Sequence, residues 1–431
     1  MRITVEMIVN QIGAERTVKE IVSDPPYLER EDMPPALRHP DGLADGCLDV
    51  SGSRAGDPPR ASRSRFGISH RTGFAPVLVA IVAMAGSGCQ SGKASTDTDR
   101  PIGNPITISV PLGLPGVPVP SDNPETAEAV GLGRRLFYEK KLSSDNSLSC
   151  ASCHNPALSF TDRQKHSAGF KGQVGKRNAP TVMNAAYLPF QFWDGRARTL
   201  EDQAATPIAN PVEMNEKHDV CVSKLAADPT YEAQFRQVFG PGPVTMGKIE
   251  KAIASFERTL ISGDSPFDRY QFGADATALG PAAIRGLAIF RDPARGNCAA
   301  CHTIDDHFAL FSDGQFHNIG IGVDDEGNPT DLGRYNVTKA ESDQGAFITP
   351  TLRNVALTRP YMHDGSLKTL RDVVDYYAGG GNSNPYLDKR IKPLNLSGEQ
   401  RDDLVQFLES LTGDTPHDAG PSPNAPRGGT E

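Results

Sequence analysis

The sequence is poor in cysteine and tryptophan, has no excess of basic residues and contains no long hydrophobic run. With seven cysteines in 431 residues, four of them in two short motifs, the chain is not a disulfide scaffold. The formal net charge of −9 argues against a nucleic-acid-binding protein, whose surface would be basic. The 42 glycines, 35 prolines and 38% hydrophobic residues indicate a loop-rich globular protein of two or three domains.

The main apolar stretch, from Phe74 to Gly88, has the features of an export signal. It is shorter than the ~20 residues that a membrane span needs, basic residues precede it, and small residues end it. Its ending, Ala-Gly-Ser-Gly-Cys89, resembles a bacterial lipoprotein cleavage box, which would make Cys89 a lipid anchor. An uncleaved anchor helix is the alternative. In both cases we expect the rest of the chain to lie in the periplasm.

Two Cys-x-x-Cys-His motifs carry the chemistry of the chain. They comprise Cys150, Cys153 and His154, and then Cys298, Cys301 and His302. Two thiols at this spacing can add to the two vinyl groups of one haem, and the adjacent histidine points its imidazole at the iron. A zinc site would need four ligands of its own, and a thioredoxin-like pair would not need the histidine. We therefore predict two covalently bound c-type haems, called here the first and the second haem, with His154 and His302 as proximal ligands.

The sequence around the two motifs forms an approximate repeat. A helix over residues 126–138 precedes the first motif, and a helix over residues 281–290 precedes the second. Further helices are predicted over residues 246–261, 369–378 and 398–411, the last with Ser397 and Gln400 placed as a capping box. No convincing β-alternation is present. The predicted fold is mostly α, with two cytochrome c-like domains in pseudo-repeat, each holding one haem.

The same features divide the chain into six segments. In order, these are a mis-assigned start or disordered extension (1–72), the lipoprotein-type signal (73–89), a tether rich in Ser, Thr, Asp, Pro and Gly (90–122), the first haem domain (123–275), the second haem domain (276–413) and a disordered tail (414–431).

Five further stretches follow the first motif in a fixed order. They are Arg177-Asn178-Ala179-Pro180-Thr181, Gln191-Phe192-Trp193-Asp194-Gly195-Arg196, Asn210-Pro211-Val212-Glu213-Met214, Pro350-Thr351-Leu352-Arg353-Asn354-Val355 and His363-Asp364-Gly365. Through these stretches, residues 123–412 resemble the bacterial dihaem cytochrome c peroxidase family, including its MauG branch. The resemblance implies that the first haem reduces peroxide and that the second receives electrons.

The resemblance also implies roles for single residues. Glu213 takes the place of the acid/base over the first haem, where a carboxylate can move a proton between the peroxide oxygens. Gln203 corresponds to a pocket glutamine that hydrogen-bonds peroxide, and Pro207 to a residue near that pocket. Trp193, the single tryptophan of the chain, matches an aromatic residue between the haems. Oxygen atoms of three residues match a calcium site of the family, namely those of Asn178, Thr358 and Pro360.

Two departures from the peroxidase pattern concern the distal side of each haem. Phe170 stands where reductively activated peroxidases carry a distal histidine, so we expect the first haem to be open in the oxidised resting state, although His166 lies nearby. On the second haem, the position of the peroxidase methionine falls on Tyr377, as in MauG-type enzymes. Leu370, Val373, Val374 and Tyr377 also form an ordinary helical core stripe. Met362 is the rival ligand.

Three functions follow from this pattern. The first is a peroxidase that reduces hydrogen peroxide with electrons from a small donor protein, a cytochrome c or a cupredoxin. The second is a MauG-like enzyme that turns high-valent haems on a protein or another reductant. The third is a plain electron-transfer cytochrome, against which Phe170 and Glu213 argue. The family commonly forms homodimers. We expect Cys221, close to His218, to be a lone thiol, and His307 and His317 to face solvent.

Overall fold

The computed structural model describes residues 99–416 and 419–421, and the predicted export signal and the lipid anchor at Cys89 lie outside these residues. The regular secondary structure of the described part is almost all helical, and long irregular segments connect the helices. Its helices are α1 (Ala127–Phe137), α2 (Cys150–Cys153), α3 (Leu200–Ala209), α4 (His218–Ala226), α5 (Pro229–Phe239), α6 (Met246–Arg258), α7 (Pro266–Gln271), α8 (Pro281–Arg291), α9 (Tyr335–Thr338), α10 (Leu370–Gly379) and α11 (Gly398–Glu409). One short antiparallel pair, β1 (Phe316–His317) and β2 (Phe347–Ile348), pairs Phe316 with Ile348.

The five helices predicted from periodicity are confirmed, and a side-chain cap marks the start of four of them, α8 being the exception. Thr126 accepts a hydrogen bond from Ala129 N at the start of α1, and Ser397 with Gln400 forms the predicted capping box of α11. The predictions missed six of the described helices, namely α2, α3, α4, α5, α7 and α9. In α3, an internal proline, Pro207, hides the helical pattern in the sequence.

Each half of the fold is organised around one close crossing of two helices. In the first half α1 crosses α6, and a Cβ at Gly133 would overlap the carbonyl oxygen of Ala252. In the second half α8 crosses α11, and a Cβ at Gly286 would overlap the carbonyl oxygen of Asp403. Only glycine lets the two backbones approach this closely. The matching crossings confirm two domains of the same construction, as the pseudo-repeat predicts.

Aromatic side chains fill the space beneath each crossing in the same way. In the first domain Phe137 packs edge-on against Phe160 and Phe256, with ring centroids 6.2 and 5.3 Å apart. The second domain repeats the arrangement with Phe290, Phe311 and Phe407. Edge-to-face packing at these distances adds to the burial of the rings. The two cores are therefore built alike and hold the haem motifs that follow α1 and α8.

The segment predicted to be a tether packs against both domains in its described part. Leu112 to Pro115, here called the strap, accepts hydrogen bonds at Leu112 O from Asp264 N (2.9 Å), at Gly113 O from Ala309 N (3.0 Å) and at Pro115 O from the Tyr187 hydroxyl (2.9 Å). The prediction failed here because composition does not reveal backbone hydrogen bonds. A Pro/Gly-rich segment without periodicity can still be held by its carbonyl groups.

The end of the described chain also contacts the body. Ala419 is buried in the cluster formed by Phe137, Phe160 and Phe256, and its carbonyl accepts a hydrogen bond from the Tyr138 hydroxyl at 2.5 Å. This part of the predicted disordered tail therefore packs on the first domain. Among residues 99–416 and 419–421, none of the helices has both the length and the apolar character needed to span a bilayer.

Two candidate haem sites

Both motif histidines are held so that one ring nitrogen remains for a metal. The Nδ1 of His154 lies 3.2 Å from the carbonyl oxygen of Phe160, and that of His302 lies 2.8 Å from the carbonyl oxygen of Phe311. Phe160 and Phe311 have φ angles of 58° and 51°, a left-handed conformation that is costly for a bulky residue and common at functional sites. A histidine fixed through Nδ1 presents Nε2 to an iron.

The surroundings of the first motif fit a haem. Cys150 and Cys153 are half-buried, and burial raises the pKa of both thiols. On the loop that follows the motif, three buried polar atoms have no hydrogen-bond partner among the described residues: Arg163 Nε, His166 Nε2 and Ser167 Oγ. Buried polar atoms are normally paired. Haem propionates are groups that could pair with them.

The second motif borders a cavity of about 270 Å³. Cys298, Cys301 and His302 line it from one side, and the apolar side chains of Leu404 and Leu408 on α11 line it as well. Its walls are mostly apolar with a few polar groups, as in other cofactor sites. The residues present therefore fit a covalently attached haem.

Helix α10 turns its predicted stripe toward this cavity. Leu370, Val373, Val374 and Tyr377 all line it. The stripe is thus both part of the core and the wall of the haem site. Burial, followed by the nearby Cys298 and Cys301 thiols, raises the pKa of Tyr377. Met362, the rival ligand, lines the same cavity.

Helices α3 and α10 are equivalent in the repeat, and their difference separates the two sites. Each begins after a threonine, Thr199 or Thr369, that accepts a 3.0 Å hydrogen bond from the backbone N–H of an aspartate three residues on. Counting eight residues from each threonine leads to Pro207 in α3 and to Tyr377 in α10. Proline offers no side-chain atom that can bind iron. The repeat therefore supports an open first site and a second site within reach of a ligand.

Glu213 lies near the first motif in the turn that follows α3. Asn210 Nδ2 donates a 2.9 Å hydrogen bond to Glu213 Oε1. Burial raises the pKa of Glu213, while Arg196 and the hydrogen bond from Asn210 oppose the rise. The charge of this carboxylate also helps to raise the pKa of the Cys153 thiol, after burial and Asp162. Gln203, half-buried on α3, comes from the helix that leads into this turn.

The loop of Phe170 packs directly on the turn of Glu213. The backbone N–H of Phe170 donates a 2.7 Å hydrogen bond to the carbonyl oxygen of Glu213. A Cβ at Gly169 would overlap the carbonyl oxygen of Val212, so the loop can approach this closely only with glycine there. Phe170, which stands at the position predicted for a distal histidine, thus lies beside the predicted acid/base Glu213.

Asn178 joins the two domains at the predicted relay residue. Its carbonyl oxygen accepts a 2.9 Å hydrogen bond from Trp193 Nε1, and its N–H donates a 2.7 Å hydrogen bond to the carbonyl oxygen of His363. Trp193 lines the second-haem cavity, as do the three residues predicted to bind calcium, Asn178, Thr358 and Pro360. The structure therefore brings the predicted relay and calcium residues to one junction.

Comparisons with known proteins agree with this architecture. A family model described as di-haem cytochrome c peroxidase matches residues 127–276, and one described as cytochrome c matches residues 283–412. The methylamine utilization protein MauG of Methylorubrum extorquens is 39% identical over 343 residues, which cover 78% of this chain and 94% of that protein. The chain belongs to the di-haem cytochrome c peroxidase family.

Further relatives carry both names found in this family. The cytochrome c551 peroxidase of Nitrosomonas europaea is 38% identical over 301 residues, which cover 69% of this chain and 84% of that protein. The crystal structure of a MauG-like protein associated with microbial copper homeostasis is 33% identical and has a TM-score of 0.64. The match covers 71% of this chain and 95% of the MauG-like protein. Membership confirms the fold of two cytochrome c-like domains, the two c-type haems and the dihaem peroxidase type of oxidoreductase.

Cys221 and His317 lie outside the haem motifs of this di-haem cytochrome c peroxidase family member. Cys221 is fully buried in the first-domain core. The expectation that His317 faces solvent is wrong. Its Nε2 lies 2.9 Å from Asp313 and its Nδ1 lies 2.8 Å from Asp388, because β1 carries it into the wall of the second site.

Sequence reasoning missed the groups that orient the haem ligands. The carbonyl groups of Phe160 and Phe311 do not show in the sequence, because the positive φ angles that aim them occur in phenylalanine. Pro207 was noted only as a residue near the pocket. The repeated Thr-Leu-x-Asp pattern at residues 199–202 and 369–372 could have shown that Pro207 and Tyr377 occupy equivalent positions.

Proposed function

We propose that this protein reduces hydrogen peroxide to water at the first haem, with electrons that enter through the second haem. The observation that carries the proposal is the position of Glu213, a half-buried carboxyl beside the first motif. Helix α3, which precedes Glu213, has Pro207 at the position where α10 has the candidate ligand Tyr377. A haem bound there supplies the iron at which peroxide is reduced. The overall change consumes two electrons and two protons for each peroxide and yields two water molecules.

The residues of the chain handle the protons in this scheme. Glu213, ionised at the start, accepts the proton of one peroxide oxygen and returns it to the oxygen that leaves as water. Asn210 holds the carboxylate through its 2.9 Å hydrogen bond, so that Oε1 is fixed and Oε2 remains for the substrate. Gln203 orients peroxide by hydrogen bonding. Trp193, hydrogen-bonded to Asn178, lies on the electron path from the second site.

The resting spectrum tests the open first site. We expect the oxidised protein to show one high-spin, five-coordinate haem and one low-spin haem by optical and electron paramagnetic resonance spectroscopy. Steady-state oxidation of a reduced small cytochrome c by peroxide, without prior reduction of the enzyme, then tests the activity. Two low-spin haems in the resting protein, or activity only after reduction, would contradict the proposal.

A second candidate function rests on Tyr377. A tyrosinate favours ferric over ferrous iron, so a second haem bound by Tyr377 would stabilise oxidised states, as a MauG-like enzyme requires. In that case the diferric protein should react with stoichiometric peroxide to give a persistent oxidised species, and a reduced cytochrome c should be a poor donor. Rapid turnover of the cytochrome favours the first function, and slow turnover with a persistent species favours the second.

The proposal also includes the location of the protein, its electron donor and a bound calcium ion. We place the protein in the periplasm, held by a lipid at Cys89 and supplied by a small cytochrome c or cupredoxin. Asn178, Thr358 and Pro360, which all line the second-haem cavity, are the residues that we propose bind a calcium ion. Metal analysis of the dialysed holoprotein tests the calcium ion, mass spectrometry of the mature N-terminus tests the lipid, and sedimentation tests the homodimer seen in the family.

A further inference from the structure

Glu257 on α6 is a buried carboxyl that neither the resemblance nor the proposed mechanism uses. Its side chain is 4% exposed, and no described residue donates a hydrogen bond to its carboxyl group. The two other buried acids nearby are paired, because Arg258 binds both Glu125 and Glu201. An acid in an interior is costly without a partner, and the described residues supply no hydrogen bond, so its position calls for a further group beside it.

The pseudo-repeat identifies the site that Glu257 faces. The crossings place Ala252 and Phe256 of α6 opposite Gly133, as they place Asp403 and Phe407 of α11 opposite Gly286. The residue after each phenylalanine is Glu257 in the first domain and Leu408 in the second. Leu408 lines the cavity of the second haem. By the same construction Glu257 lines the site of the first haem, with a carboxyl where the second domain has an aliphatic side chain.

An interaction within the first domain supports this placement independently of the repeat. The charge of Glu257 contributes to the raised pKa of the Cys150 thiol, which forms one of the two covalent links to the haem. Cys150 also packs in the cluster that contains Phe256, the residue before Glu257 on α6. The carboxyl and the thioether position therefore lie in one small region beside the haem.

We propose that Glu257 is a haem-facing acid that binds a proton when the first haem is reduced and releases it when that haem is oxidised. With haem bound, the one electron that reduces the first site would be balanced by one proton from solvent, which converts the carboxylate of Glu257 to the carboxylic acid. The added negative charge is thus neutralised within the buried site. The linkage does not depend on peroxide, and only its use as a proton store during turnover rests on the proposed function.

The charges around Glu257 are consistent with a proton that comes and goes. Burial raises its pKa to about 8, with Arg258 lowering it and Glu201 of α3 raising it. From α1, the guanidinium of Arg134 lies 5.8 Å from the ring of the preceding Phe256. A group with this pKa changes its ionisation near neutral pH, where a single added charge on a neighbouring iron is enough to shift it.

The pH dependence of the first-haem reduction potential tests the proposal. In the wild-type holoprotein, optical redox titration should show a potential that falls as pH rises through the neutral range, because reduction then takes up a proton. Glu257→Gln keeps the shape and removes the titration, so the slope should flatten. Glu250→Gln, which removes a half-buried carboxyl from the same helix two turns away, should keep the wild-type slope.

A second measurement keeps the test decisive if the glutamine variant fails to take up haem. The redox-difference infrared spectrum of wild-type protein labelled in its glutamate carboxyl groups should contain a protonated carboxyl band that appears on reduction. Glu257→Leu, which introduces the side chain that Leu408 has at the equivalent position of the second domain, should lack that band. An unchanged slope in Glu257→Gln, an equal flattening in Glu250→Gln, or a wild-type spectrum without the band would each overturn the proposal.

Discussion

At the scale of single residues, the two haem sites differ at the positions that decide what can bind iron. Pro207 and Tyr377 occupy the same place in α3 and α10, and Glu213 stands near the first motif alone. A shared scaffold therefore carries two different chemistries through a few side chains.

Replacement of Glu213 by glutamine should lower peroxide turnover by at least ~10²-fold, since an amide cannot accept the proton of peroxide. Burial raises the pKa of Glu213 above its ordinary value of 4.5, so the acid form persists to higher pH. The activity of the wild type should consequently fall on acidification at a pH above 4.5, and this acid limb should be absent in the variant. A pH profile of kcat/KM measures both effects. The exposed Glu232→Gln is the control and should keep wild-type activity.

Replacement of Tyr377 by phenylalanine should change the spectrum and raise the potential of the second haem if the phenolate binds its iron. Stability should change little, because no described residue hydrogen-bonds the Tyr377 hydroxyl. The neighbouring Tyr376→Phe is a matched control, since that hydroxyl donates a 2.8 Å hydrogen bond to Ile319 O instead. Identical optical and magnetic resonance spectra for wild type and Tyr377→Phe would assign the ligand role to another residue, with Met362 as the next candidate.

At the scale of secondary-structure elements, the helix crossings define each domain. Gly286→Ala should destabilise the second domain by about 1–3 kcal/mol, because the added Cβ meets the backbone of α11, which cannot move without repacking Phe407. Gly131→Ala on α1 has open space around its Cβ and should instead stabilise the protein by about 0.5–1 kcal/mol. Denaturant unfolding of the two variants measures the difference in sign. A stable Gly286→Ala would show that the crossing tolerates a wider separation.

At the scale of the whole molecule, a buried arginine ties the strap to the second domain. Arg353 binds both carboxylate oxygens of Asp268 at 2.8 and 2.9 Å and also donates to the carbonyl oxygens of Ala309 and Gly113. The side chains of the pair are 1% and 0% exposed. A buried pair of this kind is costly to break, because the remaining charge has no partner.

Arg353→Met should therefore cost about 3–5 kcal/mol of unfolding free energy and should loosen the strap. Hydrogen exchange at Ala309, whose N–H bonds to Gly113, should speed up in the folded variant. The exposed pair of Arg236 and Glu232 provides the control, since Arg236→Met should change stability by less than about 0.5 kcal/mol. Equal effects in both variants would show that the buried pair has no special role.

Much of this architecture could be predicted, because haem-attachment motifs and helix periodicity are both contained in short segments of the sequence. The motifs identify the two proximal histidines, and the stripe from Leu370 to Tyr377 predicts a helix that the structure confirms. The ordering of the strap could not be predicted, because it depends on carbonyl groups that every residue has. The burial of His317 was missed for a related reason, since its partner Asp388 is 71 residues away in the chain. The roles of Glu213, Gln203, Trp193 and Tyr377 remain predictions that the structure makes geometrically reasonable.

The strap has a consequence for the order in which the protein matures. It precedes both haem motifs in the chain, yet its partners Tyr187, Asp264, Ala309 and Arg353 all follow it, and two of them follow the second motif. Because a chain emerges from its N-terminus, the strap is made early and completes its bonds only after both domains exist. In a chain that lacks the second haem, we expect the strap to be undocked and limited proteolysis to cleave at Leu112 to Pro115.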